Sequence, residues 1–150
     1  MARRTTRRSQ LLIRAAVISI VVICSAWFTL TDDDGGAAPA DVHAAISGRL
    51  SGVMMTIGAT VVRVLPDDLD GDRHQRLLVA LPEPIDGVET ILIAHNIDLA
   101  PRVPCVAGDL VRVRGEYKWN NKGGLLHWTH HDPEGRREGG WIEFDGDRYE

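Results

Sequence analysis

Hydrophobic and polar positions along this 150-residue chain fall into four successive textures. Residues 11–30 are apolar apart from Arg14 and a few hydroxyl side chains. About 20 such residues span a hydrocarbon core of roughly 30 Å as a helix. Residues 31–41, TDDDGGAAPAD, have no periodicity and read as a flexible linker. A short helical period follows: Asp41 is placed to cap a helix to about Arg49, with Val42, Ala45, Ile46 and Leu50 on one face. After Gly52 the period shortens to two and stays there.

Strands are expected at Val53–Leu65, bent at Gly58, then at Arg73–Leu81 and Val88–His95. The Asp-Gly of residues 66–72, PDDLDGD, turns the first into the second. Pro101 and Pro104 make residues 97–106 a loop. A fourth strand runs Gly108–Trp119, with Val111, Val113 and Tyr117 facing inward and Arg112, Arg114 and Glu116 outward. Asn120–Gly124, NNKGG, is a hairpin turn into a fifth strand, Leu125–His131, which the turn Asp132-Pro133-Glu134-Gly135 closes. Trp141–Phe144, Asp145-Gly146 and Arg148-Tyr149 form a last small hairpin. The fold class expected is mainly β: a small five-stranded Greek-key (OB-like) barrel with a short N-terminal helix and an extra C-terminal hairpin, preceded by one transmembrane or signal-anchor helix. The divisions are a basic tail at 1–10, the hydrophobic helix at 11–30, the linker at 31–41 and the β domain at 42–150.

Charge sets the orientation. The net charge is −4, but all five arginines of residues 1–40 precede the uncharged run Ala15–Leu30 and three aspartates follow it. The positive-inside rule places residue 1 in the cytoplasm and the β domain outside, on a single-pass anchor in the cytoplasmic membrane. Cleavage at Ala38-Pro39-Ala40 would release the domain instead, still exported. Residues 41–150 carry 12 basic and 18 acidic side chains. That balance argues against generic nucleic-acid binding, which needs clustered Lys and Arg. Cys24 lies in the hydrophobic segment and Cys105 in the domain, so no disulfide forms within the domain, and Cys105 reads as a small buried hydrophobe.

Histidines carry what chemistry there is. His74, His95 and His127 are the catalytic candidates on the expected strands. On the fifth strand His130 and Asp132 would share a face at i and i+2 and bind a divalent metal, zinc or manganese, with His74 or His95 as a third ligand. A bound water would then serve as nucleophile. No HExxH or Cys-x-x-Cys spacing is present, and Ser47 and Ser51 have no nucleophile-elbow context. The aspartates around Gly71 lack calcium-loop spacing and read as a solvated turn. Trp119 and Trp128, with Arg76, Arg112 and Arg114 nearby, would make an aromatic platform, and Asn96 ends the third strand as a binding or turn residue.

Four separated motifs occur in order: Arg73-His74-Gln75-Arg76, Ile93 to Arg102, Gly115-Glu116-Tyr117-x-Trp119-Asn120, and His127-Trp128-Thr129-His130-His131-Asp132-Pro133. Over about residues 50–150 the chain resembles an uncharacterised bacterial family, domain of unknown function family 3465. The resemblance implies a small envelope-associated protein and supplies no activity. Three functions follow from the residues. One is a membrane-anchored binding module for an envelope ligand of unknown identity. The alternative is a metal-dependent hydrolase, of phosphodiesterase or nuclease type, using the His/Asp cluster. The third is a purely structural or assembly role in the envelope.

Overall fold

A computed structural model describes residues 41–150. The expected tail, the expected anchor helix and all but the last residue of the expected linker lie outside the described residues, and no helix among the described residues is long and apolar enough to cross a membrane. Helix α1 (Val42–Ser47) starts as expected, with Asp41 Oδ1 accepting from the His43 N–H at 2.9 Å and with Ala45 and Ile46 buried. It ends earlier than the sequence suggested. Arg49 turns left-handed at φ 51° and Leu50, expected on the buried face, is 43 % exposed.

Seven strands follow: β1 (Ser51–Asp68), β2 (His74–Ile85), β3 (Val88–Asn96), β4 (Leu110–Lys118), β5 (Leu125–His127), β6 (Trp141–Phe144) and β7 (Asp147–Tyr149). They form one mainly antiparallel sheet in the order β1-β2-β3-β5-β4-β6-β7, and β1 also pairs with β4. Five strands therefore make a partial ring. Its weakest step is the parallel pairing of β3 with β5, only Leu92↔Leu125 and Ile93↔Leu126. Strand β1 serves two neighbours. Its first part pairs with β4 from Ser51↔Lys118 to Thr60↔Leu110, and its second pairs with β2 from Thr60↔Ala80 onward. The register against β4 is unbroken through Gly58, so no bulge lies there. Against β2 a bulge falls between Val61 and Arg63, just past the change of partner.

Alternating inward side chains fill the ring: Met55, Ile57, Ala59 and Val61 from β1, Leu77 and Val79 from β2, Ile91 and Ile93 from β3, Val111, Val113 and Tyr117 from β4, with Leu126 and Ile142. Loop 97–106 lies against this core through Val103 and Cys105. Buried Gln75 fastens it, its Nε2 donating to Val103 O at 2.8 Å and its Oε1 accepting from Val103 N at 2.9 Å. Burial raises the Cys105 thiol above its ordinary value, so it stays a protonated core side chain.

The hairpin from β4 to β5 depends on two glycines with φ of 101° and 102°, Gly123 and Gly124. Tyr117, fully buried, donates its hydroxyl to Gly123 O at 3.2 Å, and its ring occupies the space a Cβ on Gly124 would need. Gly124→Ala meets both a steric and a conformational penalty, and is expected to lower unfolding stability by about 2–4 kcal/mol. Urea denaturation measures this; a loss below about 1 kcal/mol would show that the ring and turn relax together.

Candidate functional site

The fifth strand is interrupted rather than long. It ends at His127 because Trp128 adopts φ 56°, a left-handed conformation that a bulky side chain occupies only under constraint. The alternation assumed for residues 127–132 therefore fails beyond the first of them. The chain then leaves β4 and returns to it: Glu116 pairs with His127, while two steps away Arg114 pairs with Trp141. Residues 128–140 are an excursion looped out of what is otherwise one continuous line along β4. Its neck is closed by Gly140 N donating to His130 O at 2.8 Å. Gly140 has no room for a Cβ, which would strike the carbonyls of Trp128 and Arg114, and Gly115 likewise faces the His127 carbonyl.

Polar contacts lay the excursion over the outer face of β4. At its turn, Asp132 Oδ1 accepts from Glu134 N at 3.1 Å, and Oδ2 accepts from Arg136 N at 2.7 Å and Arg137 N at 2.9 Å. The turn expected at Asp132-Pro133-Glu134-Gly135 is present, with Gly135 N donating to Asp132 O at 3.0 Å. Arg137 comes back to bond Glu116 and to lie over the Trp128 ring, 4.2 Å from its centroid. Glu138 bonds Arg114, and its carbonyl accepts from Trp128 Nε1 at 2.9 Å. The His130 ring sits 4.6 Å from that of Trp128. Trp128 is thus held on three sides. These fastenings offset a left-handed backbone that costs on the order of 1–3 kcal/mol.

His127 sits beside Glu116, with Nε2 3.3 Å from Oε1. The approach is poorly directed, so this buried nitrogen has a charged neighbour but no hydrogen-bond partner. Burial lowers its basicity, against the pull of Glu116, so the imidazole is neutral near pH 7 and the contact is not an ion pair. Burial pushes the Glu116 carboxyl up, but the Arg137 bond and charge outweigh it and hold it below the usual carboxylate range.

The other candidates go elsewhere. His95 faces the core on β3, fully buried, with Nδ1 2.8 Å from Thr129 Oγ1 and Nε2 3.0 Å from Pro101 O. That pattern assigns the proton to Nε2, and Nδ1 then accepts from the threonine hydroxyl. Both nitrogens are engaged, so His95 ties loop 97–106 to the neck of the excursion. His74 Nδ1 lies 2.7 Å from Asp72 O, and His130 Nδ1 donates to His131 O at 2.7 Å. His130 and Asp132 do not share a strand face, and both carboxylate oxygens of Asp132 are taken by backbone N–H groups. Among the described residues no group of three or more His, Cys, Asp or Glu is disposed to hold a metal ion. Arg76 donates from Nε to Pro66 O at 2.8 Å, and Asn96 Oδ1 accepts from Asp98 N at 2.9 Å, the turn alternative raised for it. Asp98 is held below its ordinary value by the Arg73 N–H and guanidinium that bond it, at 2.7 Å each. Trp119 and Trp128 lie at opposite ends of β5 and form no common platform.

Sequence reasoning singled out His127, Trp128, His130 and Asp132 but missed Arg137 and Glu138, and paired none of them with Glu116. Arg137 reaches a partner 21 residues away and Glu138 one 24 away, separations that no periodicity reports.

Burial lowers His95 below the ordinary histidine value, helped by the neighbouring His130 and His74 and opposed by its bonds to Pro101 and Thr129. A histidine with a depressed folded value stabilises fully above its unfolded value, about 6.5, and loses that contribution as pH falls through the folded one. Stability should therefore fall as pH drops below about 6.5, above the window of Glu116 and Asp98, with the similarly lowered His127 adding to the same fall. His95→Gln should flatten this dependence while costing about 1–3 kcal/mol at neutral pH through the unpaired Pro101 and Thr129 oxygens. Urea midpoints across that range test it, and an unchanged pH profile in the variant would assign the dependence elsewhere.

Comparison with curated proteins and with solved structures returns no match. A family model does match, over residues 21–150, a span that includes the ring, the excursion and the final hairpin. The chain belongs to the family described as protein of unknown function (DUF3465).

Proposed function

We propose that this protein is an OB-like binding module, tethered outside the cytoplasmic membrane by residues 11–30, that takes an envelope ligand on the excursion face. The observation that carries the reading is the excursion itself. A small domain has looped residues 128–140 out of a strand and pinned Trp128, at φ 56°, against Arg137 and His130 on its outer surface. Core packing does not demand this, since the inward positions Leu126 and Ile142 are filled on either side of it. Rigid loops raised from a stiff sheet are where recognition residues concentrate. The pairing circuit β1–β2–β3–β5–β4–β1 supports the OB-like reading, a fold whose outer strands and loops commonly bind oligomers; that link is by fold analogy. The flanking charges of residues 1–34 support the tether.

Two measurements test this. In spheroplasts, external protease should remove a C-terminal epitope from the full chain; an epitope protected until lysis would place the domain inside and end the tethered reading. A photo-crosslinking side chain at exposed His131, in the excursion, should capture an envelope component that the same group at exposed Glu83 on β2 does not. Equal labelling from both positions would mean that the excursion is not the contact face. Trp128→Ala should reduce the His131 adduct by roughly an order of magnitude, as loss of a buried aromatic anchor costs on the order of 2 kcal/mol.

A further inference from the structure

A second surface feature lies at the other end of β5, apart from the excursion. Two shallow depressions of about 390 and 380 Å³ adjoin there, both lined by Asp86, Val88, Asn121 and Gly123. Together they make one open trough between the segment after α1, the β2–β3 turn and the NNKGG hairpin. The turn is the two-residue Asp86-Gly87, with φ of 47° and 82°. Its volume is in the range of small-ligand sites, but the lining is polar and open. That suits an extended, hydrated ligand.

The chemistry at its ends is specific. Trp119 packs one side on the core, and the Arg49 guanidinium lies over the indole, 5.1 Å from the ring centroid. Arg49 points there because its own backbone is left-handed, φ 51°, directly after the helix. Among the described residues no carboxylate lies within ion-pair distance of Arg49 or of Lys122 at the far end of the trough. A guanidinium held over an aromatic ring, with no carboxylate partner, keeps its N–H donors available to a planar anion. Between the two cations stand the acceptors Asp86 and Glu89 and the exposed amide of Asn121. Carboxylates and amides of this kind take hydrogen bonds from vicinal hydroxyls, and the indole edge receives the apolar face of a ring.

We propose that the trough binds an acidic oligosaccharide, a chain of sugar rings carrying carboxylates, with one carboxylate on Arg49, ring hydroxyls on Asp86, Glu89 and Asn121, and a further carboxylate on Lys122. Wholly neutral glycans leave both cations without a partner.

Calorimetric titration of the full chain with tetramers of galacturonate, mannuronate and a glucuronate-containing glycan tests this, with a neutral glucose tetramer and an acidic Ala-Glu repeat peptide alongside. At least one uronate should bind saturably, about tenfold or more tighter than the neutral tetramer, and binding should weaken with added salt. Arg49→Gln, an exposed change that leaves the fold intact, should weaken it by about tenfold. Trp119→Ala should abolish it, and Asn121→Ala serves as the second variant if Trp119→Ala fails to fold. Absence of saturable binding by all three uronates overturns the proposal, as does affinity unchanged by Arg49→Gln or tighter binding of the peptide. Trp128→Ala should leave uronate binding unchanged, so failure here is distinguishable from failure of the excursion reading.

Discussion

Strand β1 has eighteen residues and stays paired along its length by changing neighbours at Thr60. The rest of the domain follows from this. A strand shared between β2 and β4 draws the two together, so the sheet curls and only the short β3–β5 contact is needed to complete the ring. Curling gives the sheet a closed inside, into which Met55, Leu77, Ile91, Val113 and Tyr117 pack, and an outside on which polar side chains are free to pair. The bulge between Val61 and Arg63 absorbs the twist where the partner changes.

The outside of the ring is where the molecule departs from an economical barrel. Arg114 and Glu116 on β4 are neutralised by Glu138 and Arg137, both supplied by the excursion, so neither element is electrostatically complete alone. The same residues clamp Trp128 in its left-handed conformation. Individually such surface pairs contribute little. Here they act together with an Nε1 hydrogen bond, a cation–π stack and a threonine bonded to buried His95 beneath. His95 links this face to loop 97–106, and so the histidine that looked catalytic by position is the one that couples two loops to the core.

Much of this domain was legible in its sequence. Period-two runs located β1 to β4, Asp41 marked the helix start, NNKGG and DPEG marked turns, and the last hairpin was read from Trp141-Ile142-Glu143-Phe144. Inward Val111, Val113 and Tyr117 and outward Arg112, Arg114 and Glu116 were assigned correctly because alternation is a local property of a strand. The helix end was overrun because left-handed Arg49 has no distinctive sequence signal. The histidine cluster was overdrawn for one reason: alternation was carried through Trp128, where the backbone turns left-handed.

What the sequence determined, then, is everything that depends on neighbours a few residues apart: which segments are extended, which face of each is apolar, where chain reversals fall, and how the charges flank the hydrophobic segment. Tertiary structure alone decided which strands became neighbours, where β1 changed partner, that residues 128–140 leave β4 and come back, and which side chains meet across those gaps. The physical reason is that register and closure are set by simultaneous satisfaction of distant backbone groups. Glu116 and Arg137, or Arg49 and Trp119, come together only once the ring has closed between them.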